Sequence, residues 1–239
     1  MQIVAIGGGE IKDKETLCLD RHIVDLTGKS SPKALFIPTA SSDAEGYCET
    51  FDRIYGHVLG CRTDHLLLLN RADDVTYADD KIFEADIVYV GGGNTLKMMK
   101  LWRKLGIDRM LEKAGKRGAI LSGLSAGAIC WHMYGHSDSR SFSGNSDWPF
   151  VRVKGLGFCP GMFCPHLDAE QRQEPFSQMI ARFGGTGIAC DNNAAIWYNN
   201  SKMIVKSSNQ TASVYIYKRQ KGVVQIEKYS NDDEIGITG

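Results

Sequence analysis

Residues 119–131 read AILSGLSAGAICW and contain a Gly-x-Ser-x-Gly pattern from Gly123 to Gly127. A serine in this setting can sit on a sharp strand-to-helix turn, because small neighbours let the backbone fold tightly and push the hydroxyl outward. Ala126 would then offer its N–H to an oxyanion forming beside Ser125. The same residues can equally form an ordinary glycine-rich turn, so the pattern needs a base before it means catalysis. Six histidines compete for that role, at 22, 57, 65, 132, 136 and 166. His22 and His57 fall in amphipathic helical patterns, and His65 opens a strand. His132 follows Ser125 on the same expected helix, about 10 Å along its axis at ~1.5 Å per residue. His136 in a polar loop and His166 at the end of GMFCPH remain. Position favours His166, because open α/β sheets gather ligands at the carboxyl ends of their strands and Pro165 restricts the local backbone.

The elements that must hold these residues are short apolar runs alternating with helical patterns. QIVAIGGG, KALFIPTA, DHLLLL, DIVYVGGGNT and GAILSGLSAG are rich in Val, Ile and Leu without strict alternation, as in strands covered on both faces. Between them, KETLCLDRHIVDL and ETFDRIYGHVL repeat apolar residues at helical spacing. The order predicts a doubly wound, mostly parallel α/β sheet with helices on both faces. AGAICWHMY continues as a helix from the serine turn, and GMFCPH with EQRQEPFSQMIARFG adds a last strand and helix. The polar stretch GHSDSRSFSGNSDWP is longer than most connections. AAIWYNNSKMIVKSS and ASVYIYKRQKGVVQIEKY alternate around turn residues and predict C-terminal antiparallel hairpins.

Two glycine clusters end strands. In Gly7-Gly8-Gly9-Glu10-Ile11-Lys12, a lysine stands where a dinucleotide loop needs its third glycine, which favours a plain strand-to-loop turn. Gly91-Gly92-Gly93-Asn94 falls at the edge where ligands bind. Composition bounds the rest. With 239 residues, 43% hydrophobic, the chain 1–239 is expected to form one domain. Lys plus Arg and Asp plus Glu each number 28, so no net field or basic run favours a nucleic-acid partner. MQIVAIGGGE lacks the pattern of a signal peptide and no apolar run nears the roughly 20 residues of a membrane span, so a cytoplasmic protein without membrane partners is expected. Seven scattered cysteines read as reduced thiols. Cys159 and Cys164 lack a second pair at zinc-ligand spacing, so no metal site is expected.

GLSAGA, the preceding GGGNT and the Pro165-His166 pair, taken in order from the first strand to about Trp197, resemble peptidase E. That family of serine peptidases includes aspartyl dipeptidases and, more distantly, cyanophycinases. The resemblance implies Ser125 as nucleophile, His166 as base, and the N–H groups of Gly92 and Ala126 as oxyanion hole. It implies an acid after the last parallel strand, where GIACDN offers Asp191. The order Ser, His, Asp differs from that of α/β-hydrolases. A class I glutamine amidotransferase-like fold is the architecture implied, although the amidotransferase nucleophile is a cysteine and here the position holds Ser125. Leu124 stands where aspartyl dipeptidases have tryptophan, and NSDWP is longer than its counterpart NDMP. Asp147 matches the acid of that motif, as a rival to Asp191 or a substrate contact; the alternative is a plain turn residue before Trp148-Pro149. EQRQEP resembles the segment whose arginine faces an acidic substrate side chain, making Arg172 the candidate for that contact; a guanidinium fork can hold a carboxylate at two points. The alternative for Arg172 is a solvated side chain between Glu170 and Glu174. The implied activity is hydrolysis of small peptides through an acyl-enzyme with a preference for N-terminal Asp and no metal or organic cofactor. A relative that has lost turnover and serves as a binding module is the alternative, and the oligomeric state is left open.

Overall fold

The computed structural model describes residues 1–69, 75–143, 149–169, 171–199 and 202–236. Its strands are β1 (Gln2–Ile6), β2 (Lys33–Ile37), β3 (Arg62–His65), β4 (Ile87–Val90), β5 (Ile120–Leu124), β6 (His132–Ser137), β7 (Val151–Lys154), β8 (Cys159–Cys164), β9 (Thr186–Cys190), β10 (Ala194–Asn199), β11 (Lys202–Ser207), β12 (Val214–Gln220), β13 (Val223–Tyr229) and β14 (Glu234–Gly236). The helices are α1 (Leu17–Asp25), α2 (Glu45–Phe51), α3 (Val75–Glu84), α4 (Thr95–Leu105), α5 (Ile107–Arg117), α6 (Ala126–Ile129) and α7 (Gln173–Phe183).

β3-β2-β4-β5-β1 form a parallel sheet, which β10, β11 and β14 extend antiparallel beyond β1. Because successive strand residues face opposite ways, the apolar runs divide between two cores. Val4, Ile6, Phe36, Tyr89 and Leu124 pack with α1 through Leu19 and Ile23 and with α2 through Phe51. Ile3, Leu35, Val88, Val90 and Leu121 meet Met98 and Trp102 of α4 and Leu111 of α5. Parallel strands and helices on both faces thus follow the sequence pattern.

One expectation is corrected. Beyond Ser125 the strands divide between two sheets: β10, β11 and β14 join the first, while the others build a second, in the order β13-β12-β9-β8-β6-β7. Phe163, Ile188, Val214 and Ile216 of that sheet join the same core as α4, while α7 covers its other face through Phe176 and Ile180. The GMFCPH strand is β8 of this second sheet. The helix read over AGAICWHMY ends at Ile129, and His132 opens β6. Close packing explains the turn-back: a Cβ on Gly135 would lie 2.1 Å from Ile129 Cγ2, and one on Gly155 would lie 2.2 Å from the His132 carbonyl. Both hairpins form, β12–β13 turning at Lys221 and Gly222 with φ of 50° and 84°, the left-handed pair that a tight hairpin favours. Among the described residues no helix is long and apolar enough to cross a membrane.

Candidate active site

The carboxyl ends of β4, β5 and β1, neighbours in the first sheet, deliver Gly91–Gly93, Ser125 and Gly7–Gly9 to one place. Ser125 follows β5 with φ 55° and ψ −110°, a conformation that non-glycine residues hold only when the surroundings enforce it, at about 1–3 kcal/mol. The enforcement is visible. Ser125 N–H donates to the Ile6 carbonyl at 3.1 Å, and the Ala128 and Ile129 N–H groups both donate to the Ser125 carbonyl at 2.9 Å. Both flanking glycines are required: a Cβ on Gly123 would lie 2.5 Å from the Gly127 carbonyl oxygen, and one on Gly127 would lie 2.0 Å from that of Val90. Among the described residues the Ala126 N–H finds no acceptor.

The second sheet supplies the partners. His166 follows β8 with φ 52°, and the Leu167 N–H to Cys190 carbonyl bond at 3.1 Å ties its turn to β9. His166 Nε2 lies 2.9 Å from Ser125 Oγ, and His166 Nδ1 lies 2.6 Å from Asn192 Oδ1. An amide oxygen only accepts, so the imidazole proton resides on Nδ1 and Nε2 is left to accept from the serine hydroxyl. The Asn192 N–H in turn donates to Asp168 Oδ1 at 2.8 Å.

Asp191 does not occupy the position expected of it. Its carboxylate is buried away from His166 and accepts from the Ser213 N–H at 3.1 Å; burial pushes its carboxyl up to about 6. The residue beside the imidazole is its neighbour Asn192. Adjacent residues leaving a strand point in different directions, so an offset of one exchanges a charged partner for a neutral one. GGGE also acquires a purpose: a Cβ on Gly8 would lie 2.3 Å from His166 Nδ1 and 2.0 Å from Asn192 Oδ1.

Arg172 is corrected as well. It is only 1% exposed and does not line the cavity that holds Ser125. Its guanidinium donates to the His136 carbonyl at 3.1 Å, lies 3.6 Å from Asp138 and covers the Phe150 ring. It is buried rather than solvated, and through these contacts it braces the second sheet. His136, the rival base, is buried there, stacks on Phe150 at 4.3 Å and has its imidazole pushed down to about 3 by burial and by Arg172. His132 is likewise internal, donating from Nδ1 to the Ala128 carbonyl and accepting from Tyr198. Asp147 lies outside the described residues. Among those described, no cluster of His, Cys, Asp and Glu could hold a metal ion.

The cavity around Ser125 has a volume of about 400 Å³, at the lower end for small-molecule sites. Gly92, Leu124 and His166 line it, with Tyr47, Glu10 and Lys12, which sequence reasoning missed. Glu10 and Lys12 form an exposed ion pair 3.6 Å apart. Lys12 was legible only as the residue that spoils a dinucleotide motif, and Tyr47 lies just ahead of the helical segment ETFDRIYGHVL that begins at Glu49.

Comparison with known proteins matches this arrangement to one family. Residues 3–206 match peptidase family S51. The chain belongs to that family. It is similar to an uncharacterized peptidase, YgaJ, of Bacillus subtilis (strain 168), at 36% identity over 217 residues and 89% of each chain. It is also similar to peptidase E of Citrobacter koseri, at 35% identity over 36% of each chain. Among solved structures, a peptidase from an acI-B1 Actinobacterium superposes with a TM-score of 0.74 at 17% identity, covering 99% of this chain and 96% of that one. A putative peptidase E from Listeria monocytogenes EGD-e superposes at 0.64 with 19% identity, covering 86% and 98%. These two likenesses bear on fold alone. The S51 chain is thus a peptidase whose resemblance to peptidase E holds, while the amidotransferase-like part of the expected fold finds no support in these relatives.

Proposed function

We propose that this S51 chain is a serine peptidase that hydrolyses small peptides through an acyl-enzyme on Ser125. The observation that carries the reading is the 2.9 Å contact between His166 Nε2 and Ser125 Oγ at a strained turn. His166 takes the hydroxyl proton as Ser125 Oγ bonds to the substrate carbonyl carbon, and the carbonyl electron pair moves onto oxygen. Gly92 and Ala126 N–H groups stabilise that oxyanion. The imidazolium then protonates the leaving amine, and water, deprotonated by His166, releases the acid. Asn192 holds the tautomer and ring orientation without contributing a full charge.

The small cavity supports a short substrate. A preference for N-terminal Asp, tied by resemblance to Arg172, has a different cation available here: among the described residues that line the cavity, Lys12 is the one lysine or arginine. A dipeptide panel tests both levels. Wild type is expected to cleave a subset that Ser125→Ala does not, with Asp-Leu faster than Ala-Leu and the difference lost in Lys12→Ala. Cleavage surviving in Ser125→Ala refutes the serine mechanism; equal wild-type rates on the two dipeptides refute only the preference.

A further inference from the structure

Tyr47, on α2, reaches the cavity that holds Ser125 and His166. The Gly92 N–H donates to its hydroxyl oxygen at 3.3 Å. This is the N–H assigned above to the oxyanion, so the phenol stands beside the place where a substrate carbonyl oxygen would rest. Gly92 itself adjoins the nucleophile, since a Cβ built on it would lie 3.5 Å from Ser125 Cβ. The bond is longer than the ~2.9–3.0 Å usual for N–H···O, which leaves that N–H capacity to share with a second acceptor. Because the phenol oxygen accepts from Gly92, its own proton points elsewhere, and among the described residues no group accepts it.

The ring is not built to swing. It packs edge-on against Phe36 with centroids 4.8 Å apart. Gly91 makes room for it: a Cβ there would lie 2.9 Å from Tyr47 Cε1 and 3.0 Å from Phe36 Cζ. Burial also pushes the phenol up to about 12, so the group is a neutral donor across the neutral range.

We propose that Tyr47 is a third oxyanion donor, its O–H joining the Gly92 and Ala126 N–H groups on the tetrahedral intermediate. The inference rests on the serine-peptidase reading. Tyr47 donates a hydrogen bond and transfers no proton; the proton leaving Ser125 still goes to His166. A phenol fixed by packing needs little reorganisation as charge develops, which is the condition for a large electrostatic effect.

Tyr47→Phe keeps the ring against Phe36 and removes only the donor. On the dipeptide that wild type cleaves fastest, kcat should fall on the order of 100-fold, as for loss of one oxyanion donor, with KM nearly unchanged. Binding of 1-aminoethylboronic acid, which becomes tetrahedral on a serine, should weaken in parallel, while binding of alaninamide should not. A wild-type or raised kcat in Tyr47→Phe overturns the proposal, as does a loss confined to KM. Equal weakening of boronate and amide also overturns it, because a packing defect would do that. Peptide cleavage retained by Ser125→Ala removes the serine reading and this inference together; cleavage lost there but untouched in Tyr47→Phe removes this inference alone.

Discussion

His166 and His136 mark two regions with similar residue types and opposite access to solvent. Around His166, a hydroxyl, an imidazole and an amide form a chain of hydrogen bonds whose first two members line an open cavity. Around His136, a buried imidazole and a buried guanidinium meet a partly exposed aspartate and aromatic ring in the second sheet. Burial keeps His136 neutral, and its cationic neighbour reinforces this. The first cluster also carries backbone strain at Ser125 and His166. Polar side chains alone do not single out a candidate site; a hydroxyl held by an imidazole, a cavity and enforced strain together do.

The sharpest test of that contrast substitutes one member from each region. His166→Ala should lower kcat by at least about 10³-fold, as loss of a triad base does elsewhere. His136→Gln should keep kcat within a few-fold, as measured on protein verified to be folded. A dead His136→Gln beside an active His166→Ala would exchange the roles of the two regions.

Next in size is the distinction between adjacent residues. Asn192→Ala should lower kcat about 10²-fold through a misoriented imidazole, and Gly8→Ala should match it by crowding the same bond. Asp191→Asn should stay within a few-fold of wild type. If Asp191→Asn were the inactive variant, the triad would need its acid restored.

A smaller effect belongs to the region around His136. Arg172→Ala removes a buried guanidinium and leaves the His136 carbonyl without that donor, and such losses typically destabilise by about 1–3 kcal/mol. The expected readout is a lower Tm with an unchanged ratio of Asp-Leu to Ala-Leu rates. A changed ratio without loss of stability would return Arg172 to the substrate.

The smallest effect concerns Asp20, fully buried behind the cavity loop, accepting from Thr16 at 2.8 Å and from Tyr55 at 2.9 Å. Burial pushes its carboxyl up to about 7. The folded state therefore holds the proton over a range where the unfolded chain, with a carboxyl near ~3.9, has released it. Stability from this group is full at low pH and declines as pH rises toward 7. Asp20→Asn should flatten the dependence of Tm on pH between about 4 and 7. An unchanged slope would mean that the carboxylate is ionised in the fold.

Much of this was legible because it depended on local patterns. Apolar strand runs gave the parallel sheet, and Gly123, Ser125 and Gly127 gave a turn whose need for small residues is local. The second sheet was not legible, because β6 and β7 mix buried polar residues such as His136 and Ser137 with apolar ones and their pairing is long-range. Asn192 was missed by one position, since register at a strand end decides which of two neighbours faces the imidazole. Arg172 was misread because burial behind Phe150 leaves no trace in EQRQEP. Tyr47 comes from a distant helix that only tertiary packing brings to Gly92.

On the proposed mechanism, Ser125 is the group that becomes acylated. Intact-mass analysis after treatment with a small alkyl fluorophosphonate tests it directly, on wild type and on folded Ser125→Ala side by side. Wild type should carry a single adduct, mapping to the peptide that contains Ser125, and the variant none. No adduct on wild type, or the same adduct on Ser125→Ala, would contradict it.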